Sequence, residues 1–407
     1  MSMRTCASAW AALFALSCPV LTCAQEWTEA QVIEKFLSDS PYAREARARA
    51  ATAQADAAGR TLLANPRLLA SREGAGYAAF FQVEQQLPLS GRRSLLQQAG
   101  TAAVQVTEAE SANLLWALRT DLRFAFYRLV AAQRRESVIN DSIRELDGVI
   151  NVLRTREREG EGSRFDRLRA ERELAEYRSQ IAITQSDIVQ ARASLAAFLT
   201  RQAAVDRVAG TLETPQIIPN TQELLQRALA HRPEFITEQK QVERSRLEAR
   251  AAGRLRYPEP LAIAGVKRGE IGPGQTRTAP AVAVNIPLPI FNKGQTEVER
   301  WRAEEERALA RGEALERRIT AEVSGAVEAL QLRKNAIEQY RAEVNQIGLD
   351  LTKIARVSYE EGEIGILELL DSYRINRQAQ LRLVDHESMA KEAQIALDRA
   401  VGEEVNP

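Results

Sequence analysis

Along residues 282–288 the side chains alternate. Val282, Val284, Ile286 and Leu288 stand against Ala283, Asn285 and Pro287, the two-residue period of a strand with one apolar face. Pro287 and Pro289 punctuate the run, and a charged helical pattern then continues without proline from about Asn292 to Tyr359. The same succession occurs earlier. Phe81, Val83 and Leu87 share a face with Gln85, opposite Gln82, Glu84 and Gln86, and a proline-free stretch follows from about Gly91 to Glu157. At 1.5 Å per residue each stretch reaches roughly 100 Å if it is one helix. In the second, Leu330, Ile337, Val344 and Leu351 lie seven apart, with Tyr340, Ile347 and Ile354 interleaved. That spacing predicts a coiled-coil seam, with Arg333, Lys334, Glu338, Arg341 and Glu343 between its rows. The segments PRLLASRE (66–73) and EPLAIAGVKR (259–268) are weaker strand candidates of similar length.

These patterns are one unit written twice. Ser40-Pro41 opens a helical stretch through ADAAGR (55–60) to Asn65-Pro66, and Arg232-Pro233 opens another through ARAAGR (249–254) to Tyr257-Pro258. FFQVEQQLPLSGRR (80–93) then matches AVAVNIPLPIFNKG (281–294), with Pro88 opposite Pro289 and Gly91 opposite Gly294 near a helix start. REGEGSRFDRL (158–168) matches EEGEIGILELL (360–370), which sets Gly160 against Gly362 and Asp166 against Glu368. Such a repeat defines the architectural unit. The expected organisation is a leader over 1–24 and a first repeat over 25–204, with strands at about 66–74 and 80–89 and a helical hairpin at about 91–204. A linker over 205–220 follows, rich in turn residues. The second repeat covers 221–402, with strands at about 258–268 and 280–290 and a hairpin at about 292–402, and a tail occupies 403–407. The Gly-rich GVKRGEIGPGQT (265–276) reads as the loop between the two strands of the second copy. The fold class is mainly α with a small β part.

A polar face opposite an apolar one fits a barrel wall between lipid and a wet lumen. The other reading of the alternation is a soluble β-domain packing on its own core, but four short strands bury little. Four strands cannot close a membrane barrel, which begins at about eight, and open edges are not tolerated in hydrocarbon. A barrel built from these strands must therefore be shared between chains. Two copies supply eight strands and three supply twelve, and the larger number leaves a useful lumen. The expectation is a homo-oligomer, a homotrimer with twelve strands.

Composition adds the compartment. Arg4 precedes an apolar stretch, Cys6 to Leu21, and Thr22-Cys23-Ala24 offers a cleavage site before Gln25, the features of a secretory signal peptide. A lipoprotein processed at Cys23 is the rival reading. All three cysteines, Cys6, Cys18 and Cys23, lie in this leader, so a chain cut after Ala24 is held by packing or assembly rather than by disulfides. Loss of Arg4 leaves 54 basic against 55 acidic residues, a balance that gives no support to nucleic-acid binding. No apolar run past the leader reaches the ~18 residues of a spanning helix, so membrane passage would use strands. His231, His386 and Met389 are the only His or Met beyond the leader, too few for a metal cluster. No Walker pattern or Ser-His-Asp context is present. The expectation is a chain that is not an enzyme, with no cofactor and no dedicated metal site.

The duplicated unit, QVEQQLPLSGRR, VNIPLPIFNKGQ and the paired Gly-containing turns resemble the TolC family of outer-membrane efflux channels over essentially the whole chain beyond the leader. IPLPIFNKGQ is most similar to the branch paired with heavy-metal cation exporters of the resistance–nodulation–division class. The resemblance implies a trimeric twelve-stranded barrel in outer-membrane lipid above a twelve-helix periplasmic tunnel. It also implies a periplasmic adaptor at the tunnel tip and an inner-membrane pump that supplies the driving force. The channel would be a passive exit duct. The family's periplasmic aperture carries two acids three apart just after the second turn, and Glu368 and Asp371 fall on that pair. Glu368 stands where the best-known members have Asp. The other reading is two solvent-facing acids on an amphipathic helix. Around the first turn, Arg164, Arg167 and Arg169 surround Asp166; these arginines either dock the adaptor, pair with Glu368 or Asp371 to lock the gate, or are simply solvated. Pro88, Gly91, Pro287 and Pro289 mark the strand-to-helix junctions. Cargo is open between metal cations, organic toxins and polypeptides, and a periplasmic adaptor, with its single hairpin, is the runner-up class.

Overall fold

The structure is a computed structural model that describes residues 26–74, 78–200 and 205–405. The leader over 1–24, the lipidation candidate Cys23 and the end of the first hairpin at 201–204 lie outside the described residues. Each half places two helices, two strands and a long hairpin in the same order. In the first half these are α1 (Glu29–Asp39), α2 (Pro41–Gly59), β2 (Arg67–Glu73), β3 (Ala78–Gln86), α3 (Arg92–Glu159) and α4 (Arg164–Ala196), preceded by a two-residue β1 (Trp27–Thr28). After β4 (Val208–Ala209) come α5 (Thr221–His231), α6 (Pro233–Gly253), β5 (Leu261–Gly272), β6 (Gln275–Asn285), α7 (Gln295–Tyr340), α8 (Gln346–Glu360) and α9 (Ile366–Val401). A π-helical segment, Arg341–Asn345, separates α7 from α8.

Local chemistry explains the boundaries. The Ser40 hydroxyl accepts from the Ala43 amide at 3.1 Å and Pro41 supplies a preset first helical turn, so α2 begins there. Ser163 caps α4 in the same way, accepting from the Phe165 amide at 3.1 Å. β2, β3, β5 and β6 form one antiparallel sheet in that order, so β3–β5 pairing joins the two halves. The strands differ from the sequence expectation. β6 stops at Asn285 rather than near 290, β3 at Gln86 rather than 89, and β5 starts at Leu261 and runs on to Gly272. The Gly-rich stretch at 265–276 is therefore mostly strand, closed by a two-residue Pro273-Gly274 turn in which Gly274 takes φ +73°. Small residues allow this: a Cβ on Gly265 would lie 2.1 Å from the Phe81 carbonyl oxygen of the neighbouring strand.

Below the sheet the helices carry the core. One cluster joins α1, α3, the end of α4 and α9 around Phe36, Phe126 and Leu129; a second near the hairpin tips gathers Leu146, Ile150, Tyr177, Leu369 and Tyr373. A third places α5 against α7 and α9 through Leu224, Ile319 and Val401. The 205–220 segment is more than a linker. Its β4 pairs in parallel with β1, and the Gln133 side chain exchanges two hydrogen bonds of 3.1 Å with the Val208 backbone. Buried Lys334 donates to the carbonyls of Pro215 and Gln216 at 2.6 and 2.7 Å, and Lys391 to that of Glu213 at 3.2 Å. Nor are residues 403–405 a loose tail: Val405 is buried and its amide donates to Asp398 at 2.9 Å.

The predicted seam holds only in part. Leu330 and Ile337 are buried, but Ile347, Leu351 and Ile354 are 52, 50 and 62 % exposed. Gly348, Thr352, Ala355 and Tyr359 turn inward instead. The π-helical segment takes up one extra residue, so every later position lags by one and the next row along the chain takes the inner face.

Candidate functional site

The register of the sheet sets its central side chains on two faces of different character. Leu68 and Ala70 of β2 stand opposite Val83 and Phe81, which face Ala264 and Val266, which face Val282 and Pro280. That face is apolar and open to its surroundings; Val282 is 81 % exposed. The other face carries Arg67, Gln82, Glu84, Gly265, Lys267, Ala281 and Ala283, polar or small, with Leu69, Phe80, Leu261 and Ile263 among them. Within the sheet, β2 and β6 each pair on one side only. Among the described residues no helix is long and apolar enough to cross a membrane.

The strand-to-helix junctions are built identically. Beyond β3 the Leu89 amide donates to the Leu87 carbonyl at 2.9 Å, a three-residue turn centred on Pro88. Beyond β6 the Ile290 amide donates to the Leu288 carbonyl at 2.9 Å around Pro289. The fixed φ of proline suits that inverse turn, and its missing N–H ends the ladder. Gly91 (φ +70°) and Gly294 (φ +81°) then cap α3 and α7 in the left-handed region. Pro287 lies just past the last ladder residue, Asn285.

The far ends of the hairpins also match. The Glu161 amide donates to the Arg156 carbonyl at 2.9 Å, and the Glu363 amide to that of Ser358 at 2.8 Å. Gly160 (φ +80°) and Gly362 (φ +79°) occupy the left-handed position that this helix-ending bond requires. Glu368 and Asp371 both project from the first turns of α9 and are exposed. They line a groove of about 800 Å³ between α4 and α9, together with Arg169, Arg172 and Arg374. Asp371 is ion-paired with Arg374. Arg167 does not face this pair within the chain. Its guanidinium bridges Glu157 at 2.5 Å and Glu171 at 2.9 Å. Hydrogen bonds to those carboxylates raise the Arg167 pKa, and the bonds from Arg154 and Arg167 lower that of Glu171. Within the chain, Arg167 closes its own hairpin instead. Arg164 is exposed at the start of α4, and Asp166 sits in its first turn, where the helix dipole favours a carboxylate.

Sequence reasoning missed Arg172 and Arg374 beside the acidic pair. Arg374 was findable, three residues beyond Asp371 on one helix face; Arg172 comes from a different hairpin. It also missed the buried Arg123, which bridges Glu29 at 2.5 Å and Asp398 at 2.7 Å and ties the first helix to the last. Among the described residues no group of three or more His, Cys, Asp or Glu is placed to hold a metal ion.

A four-stranded sheet feeding helices of this length is the architecture that solved outer-membrane channel structures share. The model of the outer membrane efflux protein family matches residues 224–403. The chain is 23 % identical over 324 residues to the cobalt-zinc-cadmium resistance protein CzcC of Cupriavidus metallidurans, covering 79 % of this chain and 76 % of that one. It is 21 % identical over 340 residues to the pyoverdine export outer membrane protein OpmQ of Pseudomonas aeruginosa, covering 81 % and 69 %. Solved structures share the fold: the open state of the Neisseria gonorrhoeae MtrE outer membrane channel superposes with a TM-score of 0.72 at 17 % identity, covering 93 % of this chain and 89 % of that one. A CusC crystal structure superposes with a TM-score of 0.70 at 16 % identity, covering 92 % of each chain.

Proposed function

We propose that this protein is the outer-membrane channel of a tripartite efflux system, a passive duct with a long periplasmic extension and no catalytic step. The observation that carries the reading is the sheet: apolar at the centre of one face, mixed and more polar on the other, unpaired at both edges, and joined by proline turns to long helices. Unpaired edges in hydrocarbon cost several kcal/mol per lost hydrogen bond. The strands alternate in direction, so β6 of one chain is antiparallel to β2 of the next and a ring can close without a parallel seam. Three copies give a homotrimer with twelve strands around a wet lumen, set on a twelve-helix tunnel.

The periplasmic tips take an adaptor protein, with the Gly160 and Gly362 turns and exposed Arg164 as the contact, and an inner-membrane pump of the resistance–nodulation–division class loads the duct. Glu368 and Asp371 supply up to six carboxylates to the constriction and favour cations. Similarity to CzcC supports metal cations as cargo; similarity to OpmQ supports the second reading, an organic cargo. Membrane fractionation with mass measurement tests the channel: a single chain in the periplasmic fraction would refute it. For cargo, a deletion strain should lose resistance to zinc, cobalt and cadmium; unchanged metal tolerance with sensitivity to organic compounds selects the second reading. In planar bilayers, Glu368→Gln with Asp371→Asn should reduce cation selectivity, and unchanged selectivity would remove these acids from the constriction.

A further inference from the structure

Where the sheet meets the helices, the first repeat carries a cavity of about 220 Å³. It lies between the segment that follows α2 and the start of α3 beyond the Pro88 turn, and Arg60, Arg92, Arg93 and Glu259 line it. Arg60 is already neutralised, in a two-pronged pair with buried Glu248 at 2.6 and 2.7 Å. Glu259 accepts from the Ser90 hydroxyl at 2.6 Å and the Gln86 amide at 3.0 Å. Arg93 Nε donates to the Thr61 carbonyl at 2.8 Å, and Arg92 Nε is buried with no hydrogen-bond partner among the described residues. Arg92 and Arg93 against Glu259 leave one positive charge over. Both arginines stand in the first turn of the 68-residue α3, which holds no acid, although the helix dipole favours acids there. The matching helix of the second repeat, α7, begins Gln295-Thr296-Glu297 and keeps an acid in its first turn. The first repeat thus concentrates positive charge against its own helix, an arrangement that an anion would relieve.

We propose that this cavity holds the phosphodiester of an anionic phospholipid from the periplasmic leaflet, with Arg92 and Arg93 on its oxygens. A phosphodiester carries the single negative charge that the surplus calls for, and guanidinium forks match phosphate oxygens. The surroundings select a lipid over a free phosphate. Leu62 and Leu63, which line the cavity, and Leu89, next to Pro88, are all exposed, and the apolar face of the sheet begins at Leu68. Acyl chains would cover those leucines, for which a free ion has no counterpart.

The inference rests on the membrane-channel reading, and lipid titration of the delipidated full-length protein in detergent separates the two. Without lipid, Arg92→Gln removes a charge from an unfavourable site, so its thermal midpoint should equal or exceed that of the wild type. Added phosphatidylglycerol should raise the wild-type midpoint, and Arg92→Gln should need about tenfold more lipid for the same rise. Lys293→Gln, which removes an exposed cation at the matching junction of the second repeat, should respond as the wild type does. Leu62→Asn should respond more weakly, and glycerol phosphate at the same concentration should give no rise. An Arg92→Gln response equal to the wild type's, or an equal loss in Lys293→Gln, would overturn the proposal, since the site would then be general surface charge. A full response to glycerol phosphate, or an unchanged one in Leu62→Asn, would overturn the lipid as occupant. No wild-type response from a membrane-embedded oligomer, as when a neighbouring copy fills the cavity, would overturn it with the channel reading intact. A single chain in the periplasmic fraction would overturn both.

Discussion

Two side chains, Lys334 and Glu171, illustrate how single contacts hold the fold. Lys334 is buried, and its ammonium is spent on two backbone carbonyls of the 205–220 segment. Lys334→Met keeps the packing but leaves both carbonyls short of a donor, so chemical denaturation should show a loss of about 2 kcal/mol. At the first tip, Glu171 accepts from Arg154 and Arg167, and these hydrogen bonds hold its carboxyl below the usual value of 4.5. A depressed carboxylate pKa contributes stability that is present above the unfolded value and lost as pH falls through the folded one. Protection factors across 154–171, with the intrinsic pH dependence of amide exchange removed, should fall as pH drops below about 4.5, and Glu171→Gln should flatten that dependence. None of these partners was legible beforehand. The Lys334 ammonium meets a segment more than a hundred residues away, and only Arg167–Glu171 is a local i, i+4 pair.

The strands and helices were largely legible as elements, because periods of two and 3.6 are written directly in the apolar positions. Their limits were not. The alternation carried the predicted strand on to about residue 290, five residues too far, whereas the ladder ends at Asn285. Glycines in 265–276 looked like a loop, but they let adjacent backbones approach within the sheet. The two faces give an element-scale prediction. Val282→Lys puts a charge on the apolar face and should cost about 2–4 kcal/mol if that face meets lipid. Ala281→Lys, one residue away on the polar face, should be tolerated. Yield of the unheated, gel-stable oligomer compares the two; equal losses would mean the faces are not lipid and water. The coiled-coil row in α8 is the clearest element-level miss. Heptad counting assumes a constant 3.5 residues per turn, and one wider turn at Arg341–Asn345 breaks the count without any sequence signature.

For the whole molecule, the 68 residues of α3 make a rod of about 100 Å, and the sheet extends beyond it. Small-angle scattering from the detergent-solubilised assembly should therefore give a longest dimension above about 120 Å. A compact particle would contradict a straight α3. The sequence by itself determined the duplicated unit, the two-faced strands, the proline junctions and the glycine turns, because each of these is set by neighbours within a few residues. It also set the expectation of a partner chain, since four strands leave edges that hydrocarbon does not tolerate. Only the tertiary structure decided the order of strands in the sheet, the clamping of 205–220 by buried lysines and the closure of the first tip by Arg167. The same holds for the face that α8 turns outward. Those depend on contacts between residues far apart in the chain and on a single wide helical turn, and neither leaves a period for the sequence to show.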